Sequence, residues 1–246
     1  MDGAPAPYHH GNLRAALLEQ AGRKIEEAGV AGLSLRELAR ELGVSHGAPR
    51  QHFPDKQALL DALAIQGLER LGDELNAGLG RASGGLEERL TAFARIYVRF
   101  ATQRPALLAL MFARKDDPGR PELRAANDRA FAAPSALITG AIEQGEIDSA
   151  DPDRIAMAVL ATLQGLAAVI ASEMIGDRPA EQVISGTIHT LAQGLRPRRG
   201  PGTRAVPSGR RSVSLAECNG SGPHRVGHGE PRRRGPFRFH QQGKRG

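Results

Sequence analysis

The stretch Leu33–Leu60, LSLRELARELGVSHGAPRQHFPDKQALL, decides the fold. Ser34 stands where a first helix would be capped, and Glu37 three residues later completes the capping-box pattern. Leu35, Leu38, Ala39 and Leu42 recur at i, i+3, i+4 and i+7, which is one apolar helix face. Gly43 ends that helix, because glycine enters the left-handed region without steric cost. Val44 plugs the turn, and Ser45 caps a second helix predicted to run through to Phe53, with Pro49 in its first turn. Pro54 and Asp55 stop it, and Asp55 caps the next helix from Lys56. Helix, short glycine-containing turn, helix is the helix-turn-helix arrangement. Its second helix is small and polar outside, a shape that enters a major groove. An ordinary pair of packed helices has the same periodicity.

Outward from this stretch the chain stays helical. Toward the N-terminus, Leu13, Ala16, Leu17, Ala21 and Ile25 stripe a helix that starts at Gly11 or Asn12 and ends at Gly29. It is expected to lie over the motif, closing a three-helix core, with its first N–H groups able to meet a phosphate. A helix from Lys56 to about Leu79 follows; Leu59, Leu60, Leu63 and Leu68 close the same core. Gly78–Gly85, GLGRASGG, is the clearest break. Beyond it come a stripe from Leu86 to Phe100, a short apolar helix Ala106–Ala113, and a helix Glu122–Gln144. Pro134 should kink or break the last of these near Ala133. The final two helices are expected at about 153–174 and 179–195.

Three segments carry a family resemblance. YHHGNLR at 8–14, GVAGLSLRELA at 29–39, and GVSHGAP followed by HFPDKQALL within 43–60 resemble the N-terminal DNA-binding domain of TetR-family transcriptional regulators. The likeness covers roughly residues 10–60. It implies contact with double-stranded operator DNA through Ser34, Arg36, Ser45, His46, Gly47, Ala48, Arg50, Gln51, His52 and Lys56. The family usually has a tyrosine and then a basic residue after the Ala-Pro pair; here those positions are Arg50 and Gln51. Arg50 can still hold a phosphate or read guanine with both nitrogens. Lys56 is a phosphate contact by the resemblance alone; otherwise it reads as a solvated surface residue.

Composition sets limits. With 40% hydrophobic residues, 4% aromatics and no Trp, the core has to be built from Ala, Leu, Ile and Val, and an all-α fold follows from the scarcity of β-branched runs. The net charge is +6, yet residues 196–246 carry +11 and residues 1–195 carry −5. The basic balance therefore belongs to the tail, and the DNA reading of the folded part rests on its motif. The tail is Arg-, Gly-, Pro- and Ser-rich with few apolar residues, so disorder is expected. It either binds phosphates non-specifically or is incidental to function.

Cys218 is the single cysteine, so no disulfide and no cysteine zinc site can form within one chain. His9 and His10 have no visible companion ligands, and neither metal nor cofactor is expected. The N-terminus lacks a signal pattern, so a cytoplasmic location is expected. The longest uncharged run, Ile155–Ser172, is Ala-rich and borderline in length, and reads as a bundle helix rather than a membrane span. No P-loop or HExxH pattern occurs and no Ser, His and Asp are paired by spacing, so an enzyme is not expected.

These readings divide the chain into a helix-turn-helix head at 8–66, a helical regulatory and dimerisation body at 67–195, and the tail at 196–246. Five of the nine Phe and Tyr residues lie between Phe93 and Phe131. Phe93, Tyr97, Phe100, Met111, Phe112, Phe131, Met157 and Gln164 are therefore candidates for a pocket holding a small apolar or amphipathic effector; each taken singly is also ordinary core. Ala156, Ala158, Ala161, Gly165, Ala168 and Ala171 form a small-residue surface beside Val159, Leu163, Leu166 and Ile170. With Ile184, Ile188, Leu191 and Leu195 on the last helix, they are expected either to meet a two-fold copy or to be buried within the chain. The expected function is a ligand-responsive regulator, a repressor released by its effector. The alternative is a helical DNA-binding or protein-interaction protein without a small-molecule ligand.

Overall fold

The computed structural model describes residues 13–113 and 119–197. Among them the fold is all-α, as expected, with helices α1 Leu13–Ala28, α2 Leu35–Glu41, α3 Lys56–Arg81, α4 Leu86–Gln103, α5 Pro105–Ala113, α6 Pro121–Ala130, α7 Ala132–Glu143, α8 Pro152–Ala171 and α9 Ala180–Leu195. The tail from 198 on, Cys218, His9, His10 and the proposed start of α1 at Gly11 or Asn12 lie outside the described residues.

The head forms largely as the sequence dictates. Leu17, Ala21 and Ile25 of α1 and Leu38 and Ala39 of α2 are almost wholly buried. Gly43 takes φ 66° after α2, and the Val44 N–H donates to the Ala39 carbonyl at 2.9 Å. Two expectations fail. Ser34 sits at the α2 N-cap in extended conformation, but its side chain makes no cap bond. Glu37 turns instead toward Lys24 and Arg40, each at 3.6 Å, so cations and not the cap hold its carboxylate. The predicted helix Ser45–Phe53 is a single 3-10 turn, Ala48–Gln51, flanked by turns. Gly47 is a poor helix former, Ala48 is pushed from helical geometry by the proline after it, and Pro49 has no N–H to give. Buried Pro49 and Phe53 anchor this segment from below.

The spine is α3, 26 residues long, or roughly 39 Å at 1.5 Å per residue. Asp55 caps it as predicted, accepting from the Ala58 N–H at 2.8 Å. Leu59, Leu68, Leu71 and Leu75 are fully buried along it, so one helix serves both head and body, and the core is continuous from Leu13 to Ala192. Two glycines set how closely its neighbours approach. A Cβ at Gly67 would lie 2.9 Å from Met111 Sδ on α5, and one at Gly72 would lie 2.9 Å from Ala130 Cα on α6.

The predicted Glu122–Gln144 helix is two helices. The break falls at Phe131 (φ −98°, ψ 7°), two residues before the predicted Ala133. Pro134 sits in the first turn of α7, where a missing N–H costs least. Asp151 caps α8 by accepting from the Arg154 N–H at 3.0 Å. That helix ends at Ala171, three residues short of Met174, and Glu173 follows in the left-handed region at φ 57°.

Candidate nucleic-acid interface and ligand cavity

The ten sequence-predicted DNA residues group on the α2 N-terminus, the turn and the segment before α3. Ser34, Arg36, Ser45, His46, Gly47, Arg50, Gln51 and His52 are exposed, while Ala48 and Lys56 are half-buried. The Lys56 ammonium donates to the Ala31 carbonyl at 3.3 Å, which places it beside the turn before α2. Sequence reasoning missed Arg14. Its guanidinium lies 5.4 Å from the centre of the Phe53 ring, a cation–π contact that holds a positive charge next to the 3-10 segment.

Residues 13–63 carry seven bases and seven acids. The neutrality is only net. Glu41 takes Lys24 at 2.7 Å and Gln20 at 2.7 Å, and Glu19 takes Arg23 at 2.6 Å. The Glu41 bond lifts the Lys24 pKa above its ordinary value, and Lys24 in turn holds the Glu41 carboxyl below its usual range. Asp61 pairs with Arg120. No ion pair is recorded among the described residues for Arg14, Arg36, Arg50 or Lys56. Most acids of the head thus have partners of their own, and these four cations have no carboxylate partner among the described residues.

Gly43, Val44, Ser45, His46 and Gly47 also have the spacing of a hydrolase nucleophile elbow. That motif needs a strand leading into a helix. Here the pentapeptide joins α2 to a 3-10 turn, so the motif's structural context is missing.

A second feature missed in the sequence ties head to body. Arg104 precedes α5; its carbonyl accepts from the Leu108 N–H at 2.9 Å, but its side chain has no acceptor for the free N–H groups of the first turn. Glu26, from the end of α1, supplies it instead: Oε2 accepts from the Ala106 N–H at 3.1 Å and Oε1 from the Leu107 N–H at 2.9 Å. A carboxylate here satisfies orphan donors and meets the positive helix end. The 80 residues between Glu26 and Ala106 hid it from any local pattern.

In the body a cavity of about 350 Å³ lies between α4, α5, the α6–α7 break and the start of α8. Of the eight sequence candidates, Phe93, Phe112, Phe131 and Met157 line it. The Phe112 and Phe131 rings are 6.0 Å apart and tilted by 48°. Tyr97, Phe100 and Met111 do not line it; they are buried core. Met111 is drawn under α3 by the space at Gly67. Gln164 is exposed on the outer side of α8. Asn127, Pro134, Ser135, Ile138, Asp153, Ala156 and Leu160 complete the wall and were missed. Asn127 comes from α6, Pro134, Ser135 and Ile138 from α7 beyond the break at Phe131, and Asp153, Ala156 and Leu160 from α8.

By length and composition α8 could cross a membrane, with a mean hydropathy of 1.8 over its best window, yet only 28% of that window is buried. Ile155, Val159, Leu163, Leu166 and Ala167 face the core. Met157, Ala158, Ala161, Gln164, Gly165, Ala168 and Ala171 are exposed, and Ala156 is half-buried. A Cβ added at Gly165 on α8, or at Gly186 or Gly194 on α9, would meet nothing within 4 Å among the described residues.

A helix-turn-helix head with cations free of carboxylate partners, on a helical body containing a cavity, is the architecture of a helical DNA-binding regulator. The head at 17–63 matches the model described as bacterial regulatory proteins, tetR family, and residues 90–191 match that of the tetracyclin repressor-like C-terminal domain. A solved protein of unknown function from Rhodococcus sp. RHA1 is 41% identical over 78% of this chain and 100% of its own, with a TM-score of 0.71. The TetR-family regulator PfmR from Thermus thermophilus shares the fold at 23% identity and a TM-score of 0.58, over 74% of this chain and 99% of its own. Tetracycline repressor protein class D from Escherichia coli is 32% identical over 88 residues, 35% of this chain, and the chain spans about two fifths of its length. The chain belongs to the TetR family of transcriptional regulators.

Proposed function

We propose that the chain is an effector-released repressor that binds a palindromic operator as a homodimer. The division is a DNA-reading head at 8–66 and a regulatory, dimerising body at 67–195, working in the cytoplasm. The observation that carries the DNA reading is how the charges of the head are paired. Six of its seven acids are engaged, Glu19, Glu37 and Glu41 with cations of the head, Asp61 with Arg120, Glu26 and Asp55 with helix N–H groups. Arg14, Arg36, Arg50 and Lys56 remain for phosphates and bases. His46, Arg50 and Gln51 read base edges; Ser45, His52 and Lys56, with Ser34 and Arg36 on α2, set the head on the backbone.

Replacing Arg50 with Ala tests this. Fluorescence anisotropy against DNA upstream of the protein's own coding region should show specific binding weakened by ~1–3 kcal/mol, with relaxed discrimination at one base pair. An unchanged affinity and an unchanged footprint would remove Arg50 from the base-reading set.

Release follows a population shift. The effector occupies the Phe93–Phe112–Phe131 cavity and favours one of two helix arrangements; it must bind the two unequally, or nothing moves. Phe112 lies near the end of α5, and Glu26 holds the other end of α5 to α1. A displacement of Phe112 therefore reaches the head through a single nine-residue helix and its cap. Replacing Glu26 with Ala leaves two first-turn N–H groups without their cap and should destabilise the protein by ~0.5–2 kcal/mol. Hydrogen exchange should quicken at Ala106 and Leu107. Unaltered exchange at both amides would show that the cap contributes nothing in solution.

A further inference from the structure

We infer that the effector of this regulator carries a hydrogen-bond acceptor, and that Tyr97 is the group that meets it. The inference rests on the cavity being the effector site. Tyr97 has no exposed surface. Its Oη is buried and bonds to no protein group among the described residues. Burial alone pushes its hydroxyl pKa well above the usual tyrosine value, so at neutral pH the group is an O–H with a proton to donate. An interior hydroxyl without a partner is costly, and a phenylalanine would fill the same space without that cost. Such groups in folded proteins have a reason.

The position of Tyr97 supplies one. Its ring meets Phe93 edge to face, with centroids 6.2 Å apart and planes at 84°. Phe93 lines the cavity; Tyr97 does not. Tyr97 is thus the next side chain behind the aromatic wall, one helical turn along α4. Reaching the hydroxyl requires Phe93 to swing about its χ1 and so open the cavity toward it. The other polar groups of the wall, Asn127, Ser135 and Asp153, come from α6, α7 and α8. An effector held there by its apolar body and donating nothing to Tyr97, but accepting from it, would favour the swung state over the closed one. That is the unequal binding that a population shift needs. Ketones, esters, ethers and amides of aromatic or alicyclic skeletons fit this description; pure hydrocarbons do not gain from it.

The test pairs Tyr97→Phe with two probes of equal heavy-atom count, 2-acetylnaphthalene and 2-isopropylnaphthalene, titrated calorimetrically into the full-length protein. Loss of the hydroxyl should weaken the ketone by about three- to tenfold and leave the hydrocarbon unchanged. Without probe, Tyr97→Phe should melt about 2–4 °C above the parent, because an unsatisfied group is removed at constant shape. Equal effects on both probes, no effect on either, or a lower melting point in the variant would each overturn the inference while leaving the cavity as a ligand site. If neither probe binds the parent protein, the cavity reading itself falls and takes this one with it.

Discussion

Replacing Ala161 with Arg is expected to leave the chain folded, abolish the proposed dimer and lower operator affinity by about 10²- to 10⁴-fold. The size follows from linkage. Two heads on one rigid dimer bind a palindrome as a single ligand, and separating them forfeits the effective concentration of the second head. The site follows from the outer face of α8. Ala158, Ala161, Gly165 and Ala168 are exposed, and an apolar helix with only 28% of its best window buried leaves much surface for another body to cover. The side-chain space at Gly165, Gly186 and Gly194 is empty among the described residues. Small residues there are not required by internal packing, and close approach of a second helix is what they permit. Because Ala161 faces solvent in the single chain, arginine costs its fold within roughly ±0.5 kcal/mol. Sedimentation equilibrium and anisotropy on the same preparation decide it. A variant still dimeric, with unchanged operator affinity, would move the interface elsewhere.

Gly72→Val is expected to destabilise the protein by about 1–3 kcal/mol or more. The Cβ alone would stand 2.9 Å from Ala130 Cα, a backbone atom that cannot rotate aside. Relief requires α6 to slide off α3, and overpacking of this kind costs more than the helix propensity that valine gains over glycine. At roughly 2–4 °C per kcal/mol for a chain of this size, the melting point should fall visibly. Gly80→Ala on the same helix is the internal control. Nothing lies within 4 Å of a Cβ at Gly80, and its backbone is not left-handed, so alanine there should stabilise by ~0.5–1 kcal/mol. Opposite signs at these two glycines of one helix would establish close α3–α6 packing in solution. A melting point unchanged in Gly72→Val would contradict it.

The parts of this molecule legible in the sequence are those whose cause is local. Asp55 before Lys56, Gly43 after Leu42, and the stripe of Leu59, Leu63 and Leu68 each specify their own geometry within one or two turns, and each forms as read. The second helix of the motif was less legible. Its length was read from its boundaries, Ser45 and Pro54, while Gly47 and Pro49 within it keep it to a 3-10 turn. The cavity was half legible. Aromatic enrichment between Phe93 and Phe131 pointed to the region, but enrichment does not say which way a helix faces. Tyr97 and Phe100 went inward because α4 is packed against α3, α8 and α9. Met111 went inward because α5 lies close against α3, and that closeness depends on Gly67, a residue of a different helix. The Glu26 cap on α5 was invisible for the same reason. Its donors are main-chain groups, and no side-chain pattern marks them.

The measurement that bears most directly on the account is a gel shift of residues 1–197 beside the full chain, against upstream DNA, with competitor and at two salt concentrations. The continuous core ends at Ala192, so the shortened chain keeps every packed residue described. The account predicts the same discrete complex for both forms, resistant to competitor and lost when Arg36 and Arg50 are both replaced with Ala. Binding that needs residues 198–246, collapses at modest salt and ignores the double replacement would contradict it. The basic tail would then be the source of affinity, and the helix-turn-helix would not read DNA in this protein.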